Sequence, residues 1–264
     1  MLLCRIASGS IAPESAATGW AWAAGESLDA LRRLASDPLR TPPADWRLGE
    51  ALAAPRLLAP VAPGKIVGIG RNYREHAAEL ANEMPAEPLL FLKAISSLIG
   101  PGDAVVLPPE SEEVHYEGEV AIVIGRRVTR GGAEEAAAAV LGYTAACDVT
   151  ARDLQNRDRT FARAKSFDTF CPLGPAIRLG VPDPQVSVAT RIDGAERQRA
   201  TVAQMAWGPV ELVAFVSRFM TLEPGDVLLT GTPAGVAPLR AGERVEVEVS
   251  GAGTLANPVV DRRG

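Results

Sequence analysis

Residues 114–125 read Val-His-Tyr-Glu-Gly-Glu-Val-Ala-Ile-Val-Ile-Gly, an apolar run opened by two carboxylates, Glu117 and Glu119. Side chains alternate faces along a strand, so the two acids share a face with Ala121 and Val123, while Gly118, Val120, Ile122 and Ile124 line the other. At a rise of ~3.3 Å per residue their Cα atoms lie ~6–7 Å apart, close enough for both carboxylates to turn onto one ion. The same spacing also suits a strand end that emerges into solvent with its acids bridged to arginines, because charged side chains are usually exposed or paired. Asp148 ends a second strand-like run, Tyr143 to Val149, and is a third acid at an element boundary. The pattern Thr150-Ala-Arg-Asp153 behind it reads as a capping box, and capping that helix is an alternative role for Asp148. Oxygen ligands with no Cys or His cluster beside them favour a hard cation. Mg²⁺ takes a few carboxylates at ~2.1 Å and keeps waters, whereas Ca²⁺ wants more oxygens and zinc prefers nitrogen and sulfur. Three carboxylates, a dication and the Lys165 ammonium sum to zero formal charge, and Arg71 or Lys93 would then welcome an anionic substrate.

A second pair carries acid–base chemistry. His76 and Glu79 stand three apart in a stretch of helix-forming composition, so the carboxylate can orient the ring and raise its basicity, or the pair is a solvated surface contact. The chain has 2 histidines, His76 and His115, and its only lysines are Lys65, Lys93 and Lys165. Where arginine covers the surface, each of these is a pointer to a site. His115 has no assigned role beyond a hydrogen bond near the acids.

The elements that must position these groups are mostly short strands. Residues 2–7 and 20–24 read as strands, Glu26 to Ser36 as a helix with Leu28, Leu31 and Leu34 on one face, and the proline-interrupted residues 38–63 as a connection. Residues 1–62 are therefore expected to form a small N-terminal subdomain with its linker, and residues 63–264 the main domain. In the latter, strands are expected at 65–70, 89–93, 104–107, 185–192, 226–230, 243–250 and 254–260, and helices at Ala133 to Leu141 and Val210 to Met220. Pro85 and Pro88 end the His76 segment and leave a stretch that could close over a site. Lys165 falls in an aperiodic piece, 162–175, of the kind that often carries function. Thr230-Gly-Thr-Pro-Ala-Gly235 lacks the lysine and helix of a phosphate loop but can present hydroxyl and backbone donors. The class is α+β with a mostly β core.

Composition sets the bounds. With 47% hydrophobic and 22% charged residues the chain is an ordinary folded globule, and 25 Gly with 21 Pro predict frequent turns and few long helices. A net charge of -5 supplies no basic footprint for a nucleic acid. The 3 cysteines, Cys4, Cys147 and Cys171, are odd in number and far apart, which suggests neither a disulfide framework nor a zinc site. No apolar run approaches the ~20 residues that span a membrane, and no leader pattern opens the chain, so a cytoplasmic location is expected.

The motifs Gly-Arg-Asn-Tyr-x-x-His-x-x-Glu (70–79), Phe-Leu-Lys (91–93), His-Tyr-Glu-Gly-Glu (115–119), Asp-Val-Thr-Ala-Arg-Asp-Leu-Gln (148–155), Ala-Lys-Ser-Phe-Asp (164–168) and Thr-Gly-Thr-Pro-Ala-Gly-Val (230–236) occur in this order. Together they resemble the fumarylacetoacetate hydrolase family over about residues 63–260. The resemblance implies a mixed β-roll domain, a homodimer, and Mg²⁺ or Mn²⁺ held by Glu117, Glu119 and Asp148. It implies small anionic 2-oxo or 1,3-dioxo carboxylic acids as substrates, some of them products of aromatic ring cleavage. Lys165 would stabilise an enolate, His76 and Glu79 would orient and deprotonate water, and Arg71, Tyr73, Lys93, Gln155 and Thr232 would contact the substrate. One departure concerns Lys93, which is followed by Ala94-Ile95-Ser96-Ser97 where prolines are common in the family. Three readings follow: a hydrolase of acylpyruvate-like carbon–carbon bonds, an isomerase or decarboxylase of dicarboxylic oxo acids, and a silent relative that binds metal and oxo acid without turnover.

Overall fold

The structure, a computed structural model, describes residues 1–7, 18–23, 27–79 and 83–262. The chain opens with β1 (Leu2–Ala7), β2 (Thr18–Ala23), β3 (Arg32–Leu34), β4 (Leu48–Ala51), β5 (Leu57–Leu58) and β6 (Ile66–Gly70). Next come α1 (Arg74–Glu79), β7 (Leu89–Lys93), β8 (Leu98–Ile99), β9 (Val105–Leu107), β10 (Val114–His115) and β11 (Gly118–Ile124). The middle of the chain forms α2 (Ala133–Ala139), β12 (Val140–Cys147), β13 (Thr150–Ala151), α3 (Arg152–Arg157), α4 (Ala162–Lys165) and β14 (Cys171–Leu179). It closes with β15 (Ser187–Ile192), β16 (Ala195–Thr201), α5 (Pro209–Ser217), β17 (Val227–Leu229), β18 (Arg244–Val249) and β19 (Gly253–Asp261).

Twelve strands form one mixed sheet along β4-β3-β2-β1-β14-β12-β11-β17-β6-β7, with β5 on β1 and β8 on β14. A five-stranded sheet, β16-β15-β18-β19-β9, packs across it, and β10 pairs with β13. This is the α+β, β-roll architecture, with the smaller N-terminal portion continuing the large sheet through β1 and β14. Strand β11 shows why the two sheets meet. Its Val120, Ile122 and Ile124 join Val188, Val245, Val247, Val249 and Leu255 in one core, and its Ala121 and Val123 join Ile66, Ala146, Leu173 and Leu229 in another. The alternation expected from the sequence is therefore present, and each fully buried Val or Ile contributes about 1.5–3 kcal/mol.

Several expected elements differ. The helix expected over Glu26 to Ser36 is a turn followed by β3, which pairs with β2 and β4; residue 26 lies outside the described residues. A lone helix of this length is marginal, and the sheet edge supplies backbone partners that a three-leucine stripe cannot outweigh. Residues 114–125 are two strands, with Tyr116 and Glu117 at the break. Thr150 and Asp153 form no capping box: Thr150 lies in β13 opposite His115, Ala151 is the N-cap, and Asp153 accepts the Ser111 hydroxyl at 2.6 Å. The aperiodic piece around Lys165 contains α4 and the start of β14.

Candidate active site

Glu117 precedes β11, Glu119 is its second residue, and Asp148 follows β12, the neighbouring antiparallel strand. The Asp148 N–H donates to the Glu117 carbonyl at 2.8 Å, which locks the two strand ends together. All three acids are buried, and their ligand oxygens lie within 4.8 Å of one another. Burial and convergence exclude a solvated strand end, although one arginine, Arg152, does bridge to Glu117, and Asp148 does not cap α3, whose N-cap is Ala151.

Cations surround two of the three. Lys165 Nζ donates to Glu117 Oε2 at 2.6 Å and to Asp148 Oδ2 at 2.5 Å, Lys93 Nζ donates to Asp148 Oδ1 at 2.6 Å, and Arg152 pairs with Glu117. Burial opposes ionisation of Glu117, but Lys165 and Arg152 outweigh it and hold its carboxyl below the usual range. Burial likewise opposes the charge on Lys165, and Asp148 and Glu117 overcome it, so the ammonium persists. Glu119 differs. Among the described residues its carboxylate accepts from the Gly231 N–H at 2.6 Å and pairs with no cation. Burial, then the Asp148 charge, push it well above the ordinary range. A buried carboxyl with no cationic partner among the described residues, beside two that have them, is a site that a hard dication fits, because the ion supplies the missing counter-charge.

These acids line a cavity of about 530 Å³ shared with Arg71, His76, Phe91, His115, Gln155 and Thr232. His76 Nδ1 is 3.2 Å from Glu79 Oε2, and Glu79 Oε1 accepts from the Gly235 N–H at 2.9 Å. The carboxylate can only accept, so Nδ1–H donates to it and Nε2 is left as the basic atom. The Gly235 carbonyl in turn accepts from the Tyr116 hydroxyl at 2.9 Å, which joins the dyad to the acid strand. Gly235 has φ +104°, and a Cβ there would stand 2.1 Å from the Arg197 carbonyl oxygen, so both the conformation and the space require glycine.

The remaining candidates divide. Arg71 lines the cavity in a left-handed conformation, φ +58°, unusual for a residue with a Cβ. Buried Asn72 holds that turn by donating to the Thr230 carbonyl at 2.8 Å and the Trp207 carbonyl at 3.0 Å. Gln155 lines the cavity with Oε1 bonded to Arg152. Thr232 donates to the Gly118 carbonyl at 2.9 Å and accepts from Gln198 at 2.8 Å, which leaves it an acceptor site alone for any ligand. Lys93 and Tyr73 do not line this cavity: the Lys93 ammonium is engaged by Asp148, and the buried Tyr73 hydroxyl has no hydrogen-bond partner among the described residues. Ala94, next to Lys93, uses its N–H on Ser166 Oγ at 3.0 Å, a bond that a proline at that position could not make.

Arg152 and Glu113 were not among the sequence candidates, whereas His115 makes the expected hydrogen bond near the acids. Arg152 stood in the motif read as a cap, and its place beside Glu117 depends on where α3 begins. His115 Nε2 lies 2.8 Å from Glu113 Oε1, and both residues line the cavity. Burial and then Arg152 lower the His115 pKa despite Glu113. The buried cysteines are not in the ligand cluster, which consists of Glu117, Glu119 and Asp148 among the described residues, and burial pushes the Cys147 and Cys171 thiols up to about 12.

Gly118, between the two glutamates, is also fixed by packing. A Cβ there would lie 1.9 Å from Thr190 Oγ1 and 3.3 Å from Val247 Cγ1. Gly118→Ala is expected to lower the unfolding free energy by about 1–3 kcal/mol, measured by urea denaturation.

Fold and cavity together define a β-roll protein with a carboxylate cluster suited to a hard divalent cation. The fumarylacetoacetate (FAA) hydrolase C-terminal family model matches residues 65–260, and the chain belongs to this family. A protein of Mycobacterium tuberculosis is 44% identical over 236 residues, covering 88% of each chain. The mitochondrial oxaloacetate tautomerase FAHD2A of Homo sapiens is 44% identical over 216 residues, 77% of this chain and 69% of its own. The crystal structure of 2-hydroxyhepta-2,4-diene-1,7-dioate isomerase from Mycobacterium marinum superposes with a TM-score of 0.86 at 38% identity, over 99% of both chains.

Proposed function

We propose that this protein is a divalent-metal-dependent hydrolase that cleaves the carbon–carbon bond of small acylpyruvate-like 1,3-dioxo carboxylic acids. The observation that carries this reading is the His76–Glu79 pair on the same cavity as the three acids. Mg²⁺ or Mn²⁺ held by Glu117, Glu119 and Asp148 would supply Lewis-acid polarisation of the substrate's oxo and carboxylate oxygens. His76 Nε2 takes a proton from water while Glu79 holds the ring in the required tautomer. The water oxygen bonds to the acyl carbon, the carbon–carbon bond breaks, and its electron pair passes to the pyruvyl fragment as an enolate, which a proton then quenches. The Lys165 ammonium faces that developing charge.

Charge supports an anionic substrate more strongly than the sequence alone suggested. Lys93, Lys165 and Arg152 already pair with Asp148 and Glu117, and only Glu119 lacks a cationic partner among the described residues, so a bound dication leaves the centre with an excess of positive charge. An oxo acid that binds as a dianion, either a dicarboxylate or a monocarboxylate that becomes an enolate, matches this excess.

A second reading is keto–enol tautomerisation or isomerisation of a dicarboxylic oxo acid, favoured by the 44% identity to the human oxaloacetate tautomerase. A panel of acylpyruvates and oxaloacetate, assayed with Mg²⁺ and with EDTA, separates them. Metal-dependent cleavage of an acylpyruvate is expected; turnover that survives EDTA, or tautomerisation without any cleavage, overturns the hydrolase reading.

A further inference from the structure

The two glutamates and the loop that meets them come from segments more than 100 residues apart in the chain, and one side chain joins them. Gln198 occupies the middle of β16, a strand of arginines and other polar residues, yet it is buried while Arg197 and Arg199 on either side are exposed. Its Oε1 accepts from the Gly118 N–H at 3.0 Å, and its Nε2 donates to Thr232 Oγ1 at 2.8 Å and to the Pro233 carbonyl at 2.7 Å. The amide orientation is set by chemistry: the Gly118 N–H can only donate and the Pro233 carbonyl can only accept. With both of its N–H groups engaged, Gln198 in turn obliges the Thr232 proton to point at the Gly118 carbonyl, as found at 2.9 Å.

The consequence lies in the acids. The peptide unit between Glu117 and Gly118 is held at one end by the Asp148 N–H on the Glu117 carbonyl and at the other by Gln198 on the Gly118 N–H. The next unit, between Gly118 and Glu119, is held by Thr232. Thr232 follows Gly231, whose N–H meets the Glu119 carboxylate. The β15–β16 hairpin can press this closely because Gly118 and Gly235 carry no Cβ in its way. Gln198 itself neither lines the cavity nor contacts a carboxylate.

We propose that Gln198 is a positioning residue for the metal centre, fixing the separation of the Glu117 and Glu119 carboxylates and the approach of the Gly231 N–H by clamping Gly118, Thr232 and Pro233 together. This rests on the proposed metal dependence and adds a determinant outside the cavity. Groups that orient metal ligands typically affect affinity by 10–100-fold when removed.

The test is the dissociation constant for Mn²⁺ alone, measured by titration calorimetry on the full chain. Gln198→Met keeps the volume and removes all three hydrogen bonds, and is expected to bind Mn²⁺ ~10–100-fold more weakly than the parent. Val188→Ala, a core truncation on the neighbouring strand β15, is the control for general destabilisation: it should lower the melting temperature and leave Mn²⁺ affinity within about twofold. If Gln198→Met does not fold, Thr232→Val breaks the clamp at its other end and carries the same expectation. Unchanged Mn²⁺ affinity in the clamp variant, or an equal loss in Val188→Ala, overturns the positioning role and leaves the functional reading intact. A parent protein that binds no Mn²⁺ overturns both.

Discussion

Glu119→Ala is expected to abolish divalent-cation binding and to reduce turnover of oxo acids by about 10³-fold or more, equivalent to about 4 kcal/mol of lost transition-state stabilisation. The size follows from its position among the acids. Glu117 and Asp148 each have cationic partners, while Glu119 has only the Gly231 N–H among the described residues. Glu119 is thus the acid whose charge most needs a dication. Mn²⁺ calorimetry and the oxo-acid panel check this, and a Glu119→Ala protein with parental metal affinity would refute the assignment.

The same group has a pH signature in the metal-free protein. Its folded pKa lies above the unfolded value of 4.5, so over that interval the unfolded state has lost a proton that the folded state retains. Stability therefore falls as pH rises from 4.5 toward the folded pKa, and is unaffected by this group below 4.5. In EDTA, Glu119→Gln should become increasingly more stable than the parent as pH rises through this window, as followed by denaturation at fixed pH values. Adding Mn²⁺ should reverse the order by stabilising only the parent.

His76→Ala is expected to lower carbon–carbon bond hydrolysis by about 10²–10⁴-fold, the usual worth of a positioned general base. Metal affinity should be unchanged, since His76 makes no hydrogen bond to the three acids. Glu79→Gln should give a loss of similar order, because an amide has a single acceptor: if its oxygen keeps the Gly235 N–H, its NH2 faces His76 Nδ1 and forces the ring proton onto Nε2. If the chain instead tautomerises its substrate, His76→Ala retains much of that activity, as no water is activated. The ratio of hydrolysis to tautomerisation in the parent and in His76→Ala therefore decides between the two readings.

Period-2 alternation placed Glu119 on the correct face of β11, because that pattern is local and both sides of the strand are buried. Three-residue spacing placed His76 against Glu79 for the same local reason. Expectations failed where partners distant in the chain decide. Residues 27–36 join a sheet edge instead of forming a helix, and Thr150 pairs with His115 instead of capping α3. Lys93, read as a positive group for the substrate, has its ammonium on Asp148, a partner 55 residues away in the chain. Arg152 was hidden because its neighbour in space, Glu117, is 35 residues away.

By itself, then, the sequence determined which residues could do the chemistry: acids in a buried strand, an imidazole with its carboxylate, and lysines too few to be surface filler. Their order along the chain determined the family. Only the tertiary structure decided which charges neutralise one another, which carboxyl is left uncompensated, and which uncharged side chain clamps the strand and loop together. The reason is physical. Side-chain type and local spacing follow from covalent chemistry and backbone geometry, whereas charge pairing in a low-dielectric interior depends on separations of a few ångströms between segments that folding alone brings together.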